Sequence, residues 1–99
     1  MATRYFRAGD KFYNVATTRF LNIITTTTTQ IFMSTGYTAI RIFNSGSNTL
    51  IWGDVSISTN SGNFLFPLMA TEFSGVVDNF SFYMIADSAN SLLTITEYK

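Results

Sequence analysis

Apolar positions along this chain rarely recur at the three- and four-residue spacing of a helix, and β-branched and aromatic residues dominate. Extended strands are therefore the expectation nearly everywhere. Over residues 37–43, Ile40 and Ile42 fall on one face and Arg41 on the other, as a half-buried strand requires. Residues 44–48 (NSGSN) are dense in turn formers, with Gly46 free to take positive φ, and 49–53 (TLIWG) read as the returning strand of a hairpin. Residues 54–59 (DVSIST) alternate strictly, with Val55 and Ile57 on one face, which predicts a further strand. A second turn, 60–63 (NSGN), leads into Phe64, Leu65 and Phe66, and Pro67 marks a strand end or a sheet edge because it cannot donate to a ladder.

Residues 20–33 (FLNIITTTTTQIFM) make one long extended segment or two short ones broken near the threonine run. Thr25 to Thr29 suit a strand through their β-branching, and the run is a candidate flat pairing edge. Residues 80–86 (FSFYMIA) read as a central strand because they are mostly apolar. After a turn at 87–91, residues 92–98 place Leu93 and Ile95 on the buried face and Thr94 and Thr96 opposite. Seven or eight short strands with turn signals every eight to twelve residues predict an all-β fold, an antiparallel β-sandwich or barrel-like domain. That domain is expected over residues 20–99. Residues 1–19 lack clean alternation and read as an N-terminal arm, or alternatively as an edge strand carrying surface arginines.

At 99 residues the chain is one domain with a feasible core and no need of staples. It contains no Cys and no His, which removes thiolate nucleophiles, disulfides, zinc fingers and imidazole-based mechanisms. An enzyme would have to rely on carboxylates, hydroxyls or two lysines. Asp54 and Glu72, near predicted strand ends, are the acids a glycosidase-type pair would draw on, but neither sits in a recognisable catalytic context. No calcium loop or phosphate loop is present either. No catalytic residue, cofactor or metal ligand is expected. Trp52 reads as core first and as an interface anchor or sugar platform second. The longest apolar run, Phe64 to Ala70 (FLFPLMA), is too short to span a bilayer, and residues 1–12 lack the apolar stretch of a secretory signal. The triplet Asn79-Phe80-Ser81 matches a glycosylation acceptor without any other sign of a secretory route.

Charged residues make up 12% of the chain against 46% hydrophobic and 16% aromatic, and the net charge is zero. A surface this poor in ions favours association. The charges are also unevenly placed. Residues 1–53 carry +4 (Arg4, Arg7, Lys11, Arg19 and Arg41 against Asp10), and residues 54–99 carry −4 (Lys99 against Asp54, Glu72, Asp78, Asp87 and Glu97). Halves that present different faces would bring copies together head to tail, whereas halves that interleave within one fold would cancel internally. In the arm, cations and aromatics interleave, and Arg4, Tyr5, Phe6, Arg7, Phe12 and Tyr13 are the expected contact residues with a neighbouring molecule, since Arg and aromatic anchors dominate interface energies. The same mixture suits single-stranded nucleic acid, but zero net charge argues against that partner.

From Ile40 onward a longer pattern emerges. Asn44, Gly46, Ser47 and Thr49, then Gly53, Ser58, Thr59 and Gly62, then Leu65 and Pro67, and finally Tyr83, Ile85, Ala86, Ile95 and Glu97 together resemble a group of small phage virion β-sandwich proteins of the head decoration or cement type. The resemblance covers about the last sixty residues. It implies a non-enzymatic structural protein on the capsid surface of a virion, assembled in the host cytoplasm. Its partners would be the major capsid protein and neighbouring copies of itself, with no membrane involved. Bridging of adjacent capsid subunits would stabilise the assembled head by linkage. The alternative is a tail or fibre component acting as a receptor-binding, glycan-binding or adaptor module.

Overall fold

The computed structural model describes residues 6–8, 11–13, 15–23, 27–75, 80–88 and 91–99, the first two segments as backbone alone. Among them are ten strands and no helix: β1 (Phe6–Ala8), β2 (Lys11–Tyr13), β3 (Ala16–Ile23), β4 (Thr29–Phe32), β5 (Ala39–Asn44), β6 (Leu50–Gly53), β7 (Asn63–Leu65), β8 (Ala70–Ser74), β9 (Ser81–Ala86) and β10 (Ser91–Tyr98). Strands β3 to β10 form two four-stranded antiparallel sheets, ordered β3-β10-β5-β8 and β4-β9-β6-β7, while β1 and β2 pair only with each other. The all-β sandwich expected from the alternation is the observed fold.

The topology is that of a jelly roll. The pairs β6·β7, β5·β8, β4·β9 and β3·β10 nest inside one another along the sequence, as if one long hairpin with its apex at residues 54–62 had been rolled up. Every ladder of the two sheets therefore joins a strand from the basic half to one from the acidic half. The opposite charges meet inside the molecule: Arg41 is opposite Glu72 in the β5·β8 register, with Nε 3.6 Å from Oε1, and Arg19 of β3 lies beside Glu97 of β10. Arg19 and Arg41 are thereby matched by acids of the other half within the same molecule rather than left for a neighbouring copy.

Alternation puts Ile40, Ile42, Leu93 and Ile95 on the inner face of the first sheet and Ile31, Leu50, Leu65 and Met84 on that of the second, all buried in one core. Each such side chain contributes about 1.5–3 kcal/mol when withdrawn from water. Phe73, Phe80 and Phe82 extend the core as a tilted aromatic cluster with centroids 5.6–6.2 Å apart.

Two polar clusters pin the ends. At one end Glu97, 2% exposed, accepts hydrogen bonds from the Ser34 backbone N–H and hydroxyl, across the gap between the sheets. Arg19 Nε lies 3.2 Å from Glu97 Oε1, outside hydrogen-bond geometry, and its guanidinium also donates to the Phe32 carbonyl on β4. At the other end Asn44, fully buried, donates through Nδ2 to the carbonyls of Asn48 (2.7 Å) and Leu65 (2.8 Å) and accepts from the Gly46 N–H (3.1 Å). Every hydrogen-bonding function of that amide is thus engaged, as a buried side chain demands.

Four expectations from the sequence need correction. Residues 44–48 do not close a hairpin, because β5 and β6 lie in different sheets and the Asn44 side chain turns the chain from one to the other. Gly46 does not take positive φ; it is required because a Cβ there would stand 2.9 Å from the Leu92 nitrogen. Residues 54–59 are not a strand. Asp54 accepts hydrogen bonds from the backbone and hydroxyl of Ser56, an Asx turn that competes with extended pairing, and Val55 is exposed. Instead the 54–62 apex folds back so that Ile57 and Ile51 flank Gly62, where a Cβ would collide with both. Finally, the described part of the threonine run is not itself a strand: Thr27 and Thr28 lie in the crossing between sheets, only Thr29 enters the edge strand β4, and Thr25 and Thr26 lie outside the described residues. One strand went unforeseen, β8, whose Thr71 and Phe73 are half-buried while Ala70, Glu72 and Ser74 face out.

Candidate interaction surface

Of the six expected arm contacts, Arg4 and Tyr5 lie outside the described residues. Phe6 and Arg7 stand in β1 opposite Tyr13 and Phe12 of β2, respectively, and the side chains of all four lie outside the described residues as well. The β1 backbone runs near β5 and β8. On the outer face of that sheet Ala39 and Tyr98 are buried nonetheless, with Ala16 packed against them. Burial, together with the nearby Glu72 carboxylate, raises the Tyr98 phenol above its ordinary value, opposed by Arg41.

Four exposed large apolar residues lie close together in the chain elsewhere, around β7 and the turn that follows it. Phe64 and Phe66 stack with centroids 6.2 Å apart and planes 13° from parallel. Leu68 and Met69 continue the strip, and all four side chains are exposed, Leu68 by 76%. The turn Phe66-Pro67-Leu68-Met69 closes through a hydrogen bond from Met69 N–H to the Phe66 carbonyl (3.0 Å). Pro67 occupies its second position, and Leu68 takes φ +65°, the only positive φ on a non-glycine residue among those described. This is the form of a type II turn, whose third position ordinarily calls for Gly or Asn. A left-handed leucine costs about 1–3 kcal/mol and persists only where its surroundings impose it.

Those surroundings are the backbone of Asn44, which donates to the Met69 carbonyl (2.9 Å) and accepts from the Leu68 N–H (2.9 Å). With its side chain holding the Leu65 carbonyl, Asn44 grips the strip on both sides of Pro67. The result is a rigid apolar tip standing on a buried polar hub, a geometry suited to docking against another apolar surface. Sequence reasoning did not assign Phe64, Phe66, Leu68 or Met69 to a contact surface. The signal available was the unbroken apolar run through a proline turn, too polar-free for an ordinary surface loop and too sharply turned for a core strand.

Trp52 lies on the inner side, half-buried against the core, with its ring edge-on to Phe73 at 5.0 Å; it is a core residue. The two acids considered as a catalytic pair have separate partners on separate sheets. Asp54, following β6, is held below the ordinary carboxylate value by the Ser56 hydroxyl and N–H, and Glu72 pairs with Arg41 on β8·β5. Among the described residues there is no pocket and no cluster of three metal-ligating side chains. Comparison of the chain with known protein families, curated proteins and solved structures gives no match.

Proposed function

We propose that this chain is a structural protein of a phage particle, a decoration or cement protein that binds the outer shell of the head and bridges neighbouring capsid subunits. The observation that carries the reading is the Phe64–Phe66–Leu68–Met69 strip, a strained apolar tip held in place by a buried asparagine rather than withdrawn into the core. It stands beside a surface with few charges and beside the resemblance of residues 40–97 to small virion β-sandwich proteins. A jelly roll alone does not choose the task, since the architecture serves viral capsids, lectins and cupins alike. Contact across two subunits exists only in the assembled shell, so each bound copy stabilises that shell by mass action, and repeated weak contacts add through avidity.

The test is copy number and binding. Quantitative mass spectrometry of purified particles is expected to find hundreds of copies, and the purified chain is expected to cosediment with emptied heads. Leu68→Asp, which places a charge at the exposed tip, is expected to weaken that binding roughly thirtyfold, as loss of an interface hot spot does, with little change in thermal stability. A dozen copies or fewer would overturn the head assignment in favour of a tail station, and unchanged binding by Leu68→Asp would remove the strip from the contact.

A further inference from the structure

Four strands border the two sheets, and three carry a device against pairing with a foreign strand. β7 is three residues long and runs into Pro67. β8 carries the charged Glu72 at its centre, paired to Arg41. β4 is four residues long, and its Phe32 carbonyl is capped by the Arg19 guanidinium. β3 is eight residues long, contains no proline, and spends its only charge, Arg19, inward on Glu97.

The hydrogen-bond phase of β3 follows from its end. Val15 and Lys99 exchange both backbone hydrogen bonds, at 2.8 and 2.9 Å, so in the antiparallel ladder with β10 the odd residues of β3 bond to β10. The even residues turn their N–H and C=O outward. Ala16, Thr18, Phe20 and Asn22 thus line an open edge with a full set of alternating donors and acceptors, unpaired among the described residues. On the outer face of the same strand Phe20 is 73% exposed.

We infer that the partner of this edge is the β3 edge of a second copy, paired antiparallel about a two-fold axis at Phe20. That register sets Phe20 against its symmetry mate as a hydrogen-bonded pair and Thr18 against Asn22. It also sets Arg19 against Leu21, which keeps the two guanidinium groups apart. A register centred on Arg19 would juxtapose like charges, and one centred on Thr18 would leave each Phe20 opposite Ala16. The self-complementary register joins the two β3-β10-β5-β8 sheets into one of eight strands and covers the exposed phenylalanine. This pairing is independent of the shell-binding reading and exists in solution without a capsid.

Because the chain has no cysteine, Phe20→Cys introduces a single thiol. A hydrogen-bonded antiparallel pair has Cα atoms about 5.5 Å apart, within disulfide reach, whereas Asn22 and its symmetry mate would be separated by roughly 14 Å. Under mild oxidation the full-length Phe20→Cys chain is expected to form a linked dimer at least about tenfold faster than Asn22→Cys. Thr18→Pro removes an outward donor and leaves the β10 ladder intact; in sedimentation equilibrium it is expected to weaken dimerisation about tenfold. Equal cross-linking rates for the two cysteine variants, or a wild-type chain that stays monomeric across the concentration series, would overturn the inference. The cross-linking comparison stands even if Thr18→Pro does not fold.

Discussion

The two ends of the sandwich solve the same problem, closing two sheets on each other, by different chemistry. One end uses charge: Glu97 is buried, bonded to Ser34 on the facing side and flanked by Arg19. The other uses a neutral amide: Asn44 is buried with its side chain and backbone all engaged. A charged pin is sensitive to loss of one partner and to solvent, while an amide hub needs no counterion and can brace a strained turn in an otherwise apolar surface. The difference explains why the apolar tip stands at the Asn44 end.

Substitution separates the two ends. Asn44→Ala is expected to be the most damaging change, destabilising by about 3–5 kcal/mol, because it strands the buried Leu65 carbonyl and the part-buried Asn48 carbonyl and Gly46 N–H at about 1–3 kcal/mol each. Denaturant melts measure this directly, and the same variant is expected to lose rigidity in the 66–69 turn. Glu97→Gln is expected to cost about 3 kcal/mol, the lower end for breaking a buried ion pair, because the Arg19 side chain is 39% exposed and recovers solvation. A reversed order, with Glu97→Gln the worse by denaturant melt, would place the main fastening at the charged end.

Leu68→Gly is expected to move stability the other way, raising it by about 1 kcal/mol as the left-handed strain is relieved, while weakening any contact the tip makes. Loss of stability instead would mean that the leucine side chain supports the fold. The smallest effect is alkaline. The Tyr98 phenol, next to Glu97 in β10, has its value raised above the ordinary 10.0, so the fold favours the protonated form. Its contribution is fully present below that ordinary value and is lost as pH climbs through the raised one. Melting temperature is expected to fall over that alkaline range, and less steeply in Tyr98→Phe.

Much of the architecture was legible because inner and outer faces impose a two-residue period. Ile40, Ile42, Leu93 and Ile95 announced their strands, and the apolar 80–86 segment announced a central one. Connectivity was less legible, since NSGSN can close a hairpin or carry the chain over to a second sheet. The decision rests on where the Asn44 amide finds its partners, Leu65 among them, twenty-one residues away. Residues 54–59 alternate as a strand would, yet the Asp54–Ser56 turn prevails because the apex of a rolled hairpin must reverse there. The exposed tip was hidden because apolar residues are expected inside; only the backbone angle of Leu68 and its exposure reveal otherwise.

A shell-binding role requires that protein cover the apolar tip when the chain is at work. Met69 reports on it, being exposed while Met33 and Met84 are buried. Peroxide oxidation followed by peptide mass spectrometry is expected to modify Met69 rapidly in the free chain and at least about tenfold more slowly in chain bound to particles. Equal rates in the two states would contradict the claim.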